Sequence, residues 1–244
     1  MSKKFCGRRV SLVGALLIFL SGCSSDQNVG PGEGESRAGK AAVKSGPVAL
    51  TSAELMALTF KDGEVPQVSE GVLPAEVFTA EGWESEFPPA STPYCQFVLE
   101  VRSGESASAG VSQIFNWEDS IFAGSSIIAA YPAERAESEF DRLRDALDRC
   151  ESYEGESYAG DYRARIEEKS VARFGDESVT FLEIIPMDHP KDPRERMEQF
   201  TVVRVGAVIA TFRRYDLGRT TPFPAGLIKK QVERLAEAQD QRVR

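Results

Sequence analysis

The chain predicts an α+β fold: a mainly antiparallel sheet with two or three helices packed against it, stapled by one disulfide. Three observations carry this. Residues 132–150, PAERAESEFDRLRDALDRC, set Ala136, Phe140, Leu143, Leu147 and Cys150 at spacings of four and three, one face of an amphipathic helix. Several short runs alternate apolar and polar residues in the strand period. The connections between those runs are short, which favours antiparallel pairing with the helices on one face of the sheet.

The N-terminus carries an address. Lys3, Lys4, Arg8 and Arg9 precede the apolar run VSLVGALLIFL, which is too short to span a membrane comfortably and reads as a secretory leader. Leu20-Ser21-Gly22-Cys23 follows and matches the lipobox of bacterial lipoproteins, in which the cysteine takes two acyl chains and becomes the mature N-terminus. Two chains anchor stably where one is marginal. An ordinary leader with an incidental cysteine is the plainer alternative. Residues 1–22 are thus expected to be a signal peptide. Residues 23–50 are expected to be a lipidated cysteine and a Gly/Ser-rich tether, and residues 51–240 the folded domain. The protein is expected on the extracytoplasmic face of a cell membrane.

Within the domain, Thr51 and Glu54 form a capping box that opens a short helix. Residues 61–93 read as a long loop rich in Gly and Pro, holding Trp83 and Phe87. In residues 94–102, YCQFVLEVR, Cys95, Phe97, Leu99 and Val101 alternate with the others, predicting a half-buried strand. Further strands are expected at residues 112–117 and 124–131, before the 132–150 helix with Pro132 in its first turn. Residues 151–161 read as a polar passage. Strands follow at 162–167 and 179–185, after a turn at Phe174-Gly175-Asp176-Glu177, and residues 186–198 read as a polar loop. The clearest hairpin joins 200–205 to 208–213 with Gly206 at the bend, and a last helix covers 227–239.

At 244 residues, 41% apolar and 27% charged, the chain has the composition of one globular domain with tails. The formal net charge is −9; beyond residue 22 the balance is 25 basic against 38 acidic residues, or −13. So acidic a body, without a Lys/Arg stripe, excludes nucleic acid as a partner. With Cys6 in the leader and Cys23 lipidated, Cys95 and Cys150 remain. Outside the cytoplasm such a pair is most simply a disulfide, two free buried thiols being the alternative.

Catalytic patterns are sparse. The single histidine, His189, sits in an Asp-His-Pro loop, and no Gly-x-Ser-x-Gly elbow, P-loop or zinc spacing accompanies it, so no catalytic residues, metal or cofactor are expected. Glu81, Glu84 and Glu86, and again Glu151, Glu154 and Glu156, form acidic clusters. A hydrolase would need two carboxylates facing each other across a cleft; solvated loops are the plainer reading. Trp83, Phe87, Tyr94 and Trp117 could line a ligand groove, although core packing is the commoner fate of such residues.

The stretch from Tyr131 to Cys150, together with Phe174-Gly175-Asp176-Glu177-Ser178, the hairpin VVRVGAVIATF and a closing helix, resembles the PknH-like extracellular sensor-domain family. That family occurs as the outer domain of actinobacterial receptor kinases and as free-standing lipoproteins. The resemblance covers about residues 50–240. It implies a sandwich-like domain with an antiparallel sheet and a broad cleft for an unidentified ligand. The kinase sensors carry two disulfides, whereas this chain can form one, at the Cys150 helix end. No kinase domain is expected here. The expected function is a non-catalytic, lipid-anchored ligand-binding or sensor-like module of the cell envelope, its ligand a small molecule or an envelope component. A lipid or glycolipid carrier is the alternative, and an acid-pair hydrolase a more distant one.

Overall fold

Thr51 and Glu54 cap each other reciprocally and start helix α1 (Ser52–Leu58), as the capping box requires. The computed structural model describes residues 49–65, 67–72, 75–79, 88–132, 134–187 and 193–243, all within the compact unit Lys44–Arg244. The passage read as a loop over residues 61–93 contains two short strands, β1 (Val68–Val72) and β2 (Glu76–Phe78).

Residues 94–102 form a helix, not the expected strand. Their apolar residues suit either period, and the flanking residues decide. Thr92 accepts the Cys95 N–H at 3.3 Å, Pro93 occupies the first turn, and Gly104 closes the helix at φ 73°. Helix α2 (Pro93–Ser103) therefore buries Cys95, Val98 and Val101, a three-residue spacing. Strands β3 (Ala109–Trp117) and β4 (Gly124–Ala130) follow, then helix α3 (Arg135–Leu147). All five residues of the α3 stripe, Cys150 included, are buried. Pro132 lies before the helix, its carbonyl accepting the Arg135 N–H.

The polar passage after Cys150 holds strand β5 (Ser152–Ser157), which turns into β6 (Gly160–Lys169). Strands β7 (Glu177–Pro186), β8 (Glu195–Val205) and β9 (Val208–Leu217) complete the sheet, and helix α4 (Ala225–Val243) closes the chain. β8 reaches into the segment read as a polar loop, because residues 196–198 pair on both sides.

The sheet is antiparallel throughout, in the order β1-β3-β4-β9-β8-β7-β6-β5, with β2 also on β3. The α+β class stands, but helices cover both faces where one was expected. One face packs Phe115, Ile128, Val203 and Phe212 with Leu55 of α1 and Ile228 and Leu235 of α4. The other packs Ala129, Phe181, Phe200 and Val202 with Val98 of α2 and Phe140 and Leu143 of α3. Central strands buried on both sides read as continuous apolar runs, as in Val202-Val203 and Val208-Ile209. The Cys95–Cys150 disulfide joins the start of α2 to the chain just after α3, with Cα atoms 4.9 Å apart. It ties helix to helix, not helix to sheet as the strand reading implied.

Helix α4 is bolted to the α1 end of the domain through Glu64. Arg234 and the Lys61 N–H each donate to Glu64 at 2.7 Å, and Lys230 lies 3.0 Å away. Arg234 also caps the carbonyls of Leu58 and Thr59. Burial opposes ionisation of Glu64, but these donors outweigh it and hold the carboxyl at about 2 against an ordinary 4.5. A carboxyl depressed in the folded state contributes stability that is present above pH 4.5 and lost as pH falls toward 2. Urea midpoints measured between pH 5 and 2 are expected to fall across that window, and Glu64→Gln should flatten the fall. An unchanged slope in the variant would remove Glu64 from the account.

Candidate functional site

Strand alternation puts Glu183 of β7 on the same face as Val179, Phe181 and Ile185, beneath α2 and α3. Its direct cross-strand neighbour on β8 is Glu198. Both carboxylates are buried, at 1% and 4% exposure, where facing like charges destabilise unless compensated. Arginines compensate them. Arg102, in the last turn of α2, donates to one Glu183 oxygen and lies 4.3 Å over the Phe200 ring. The Tyr153 hydroxyl donates to the other oxygen. Arg196 Nε approaches Glu198 at 2.8 Å, off the hydrogen-bond axis, and Arg213 reaches its second oxygen at 3.5 Å.

Burial alone pushes the Glu183 carboxyl up, but the charge and hydrogen bond of Arg102, helped by Tyr153, prevail and hold it below the usual carboxylate range. Burial, then the Glu183 charge, drive the Tyr153 phenol well above its ordinary value, so it stays a donor. Tyr162 meets the Tyr153 ring edge-on at 6.0 Å, extending the packing around the network outward. Tyr162 lies across the sheet from Gly155, where any Cβ would come within 2.8 Å of the Tyr162 ring; only glycine lets the ring lie flat there.

Beside Tyr162 the sheet opens. β6 pairs with β5 from Gly160 onward, but with β7 only from Arg165 onward. The next hydrogen-bonded pair, two positions on, would set Arg163 against Pro186, which has no N–H to give, so the ladder stops. The gap is a groove of about 550 Å³, lined by Tyr162, Arg163, Ile185, Pro186, Met187 and Arg196 among others. A second groove of about 490 Å³ lies across the hairpin, against Pro88, Pro89 and Ser91. There Ser91 exchanges two hydrogen bonds with the outer edge of β5 at Glu154, and the two prolines blunt that edge.

The residues singled out from the sequence do not converge here. Trp117 is buried in the other core layer, stacked on Phe115 at 5.6 Å. Tyr94 lies on α2 under Arg149. Glu151, Glu154 and Glu156 are solvent-accessible, and Glu154 faces Arg163 at 3.4 Å, not a second carboxylate. Cys23, Glu81, Trp83, Glu84, Glu86, Phe87 and His189 lie outside the described residues. The sequence reading missed Arg102, Glu183, Arg196, Glu198 and Arg213. One signal was available: in VTFLEII, Glu183 occupies the core parity of its strand, a charged residue where the pattern calls for an apolar one.

Among the described residues no cluster of His, Cys, Asp or Glu is arranged to hold a metal, and no helix is long and apolar enough to cross a membrane. No protein-family model matches the chain, and no curated protein matches it at a significant level.

Proposed function

We propose that this protein is a lipid-anchored, extracytoplasmic binding module of the cell envelope, non-catalytic, of the sensor-like kind that the resemblance to the PknH-like domains implies. The observation that carries the reading is the open groove at the β6–β7 gap, one wall of which, Tyr162 and Arg196, is backed by Tyr153 and Glu198 of a buried charged network. Rigid support behind a surface cavity suits selective binding, since little ordering is left to occur on contact. The same network weighs against acid-pair hydrolysis. A general acid needs a raised pKa, and Glu183 is held the other way by Arg102. A carrier of lipid would want an apolar interior cavity, whereas the described grooves are open and edged with charge.

The anchor rests on the lipobox at Cys23. Cys23→Ala is expected to move the protein from the membrane fraction to the soluble fraction with an unchanged circular-dichroism spectrum; continued sedimentation with membranes would contradict anchoring. Native mass spectrometry of the protein recovered from envelope extracts tests the binding half. A protein that always flies without a bound species, under conditions that preserve a control complex, speaks against it.

A further inference from the structure

We infer that the β6–β7 gap receives the carboxylate end of a short extended peptide, an inference that rests on reading this groove as the ligand site. The backbone makes the first case. The Ile166 N–H donates to Glu151 across β5, and pairing alternates along a strand, so even-numbered β6 residues turn toward β5 and odd-numbered ones toward β7. Asp161 and Arg163 therefore aim their N–H and C=O into the groove, beyond the last β6–β7 pair at Arg165 and Ile184. Pro186 offers the Arg163 carbonyl no donor. An extended peptide laid in the gap supplies both a donor and an acceptor, as strand addition does at an open sheet edge.

Charge makes the second case. Arg196 lines the groove, and with Arg213 it shares a single carboxylate, Glu198, while Arg102 and Glu183 offset each other. The five groups together carry one excess positive charge on the Arg196 side of the groove, while on its β6 side Asp161, with Arg163 and its partner Glu154, carries one excess negative charge. A terminal carboxylate balances that excess. Ile185, Pro186 and the exposed Met187 then offer an apolar seat for an aliphatic side chain. A fatty-acid-like anion would satisfy Arg196 and Met187 yet leave the Arg163 backbone unpaired, which is why a peptide fits better.

The test is calorimetric titration of the full chain carrying Cys23→Ala with three probes: N-acetyl-trialanine, its C-terminal amide, and octanoate. N-acetyl-trialanine is expected to bind, with the amide and octanoate each about tenfold weaker or more. Octanoate binding as tightly as the peptide acid overturns the peptide assignment while leaving the groove as a ligand site. Equal binding of the acid and the amide overturns the carboxylate role of Arg196. No binding of any probe overturns the inference, while the groove as a ligand site stands or falls separately on the native mass spectrometry above. Pro186→Ala gives an independent check without removing a charge. The restored N–H lets β7 close on Arg163, so peptide binding should weaken about tenfold and the amide at position 186 should exchange slowly with solvent. Undiminished binding in that variant, with the amide protected, overturns the inference.

Discussion

Replacing Cys95 and Cys150 together by alanine is expected to lower the stability of the domain by about 4 kcal/mol in the chain-entropy model. The sequence separation of 55 residues sets that figure, because the bridge confines a long loop in the unfolded chain. In a domain of this size the loss corresponds to a fall in Tm of roughly 10 °C. The expansion of the unfolded ensemble should also raise the urea m-value while the midpoint falls. Both sulfurs are buried, so the substitutions leave little polar debris and the effect reports on the link itself. A loss below about 1 kcal/mol would mean that α2 and α3 hold one another by packing alone and that the loop entropy has been overstated. Neither cysteine lines the groove at β6–β7, so the double variant, where folded, should still bind whatever the wild type binds there.

Arg102→Met should cost about as much, roughly 3–5 kcal/mol, because it strands a buried carboxylate. Glu183 would keep the Tyr153 hydroxyl but lose the cation that hydrogen-bonds it, with Glu198 directly opposite. The pH dependence distinguishes this from loss of packing against Phe200. In the wild type Glu183 is held below the usual range. Without Arg102, burial should lift it above its unfolded value. Its contribution would then be favourable at low pH and lost as pH rises, the reverse of the normal acid dependence. The deficit of the variant against wild type should therefore shrink on acidification. Adding Glu183→Gln should recover part of the loss, since an amide still accepts from Tyr153 and carries no charge. A double variant as unstable as the sum of the singles would show that the two side chains act independently.

Much of the fold is written in local pattern. The Thr51–Glu54 capping box, the α3 stripe from Ala136 to Leu147 and the hairpin around Gly206 are recoverable because each depends on residues within a few positions of one another. Residues 94–102 show the limit. An apolar run of that length fits a strand or a buried helix, and Thr92, Pro93 and Gly104 tip the choice toward helix. The placement of helices on both faces was hidden because the central strands carry continuous apolar runs, as at Val202-Val203 and Val208-Ile209-Ala210, which remove the alternation that marks a covered face.

From sequence alone come the α+β class, the pairing of Cys95 with Cys150 as the simplest outcome, and the lipobox expectation at Cys23, all consequences of composition, period or short motif. Only the tertiary structure brings Arg102 from α2 onto Glu183, sets Glu198 opposite it, and opens the sheet where Pro186 cannot donate. Strand register decides these contacts. Register joins residues far apart in the chain through backbone hydrogen bonds that every residue type can make, so side-chain patterns specify it only indirectly. The two carboxylates are 15 positions apart on strands whose ends were read as loop, and no local motif places them side by side. The groove exists for the same reason: one missing N–H matters only once the neighbouring strand is known.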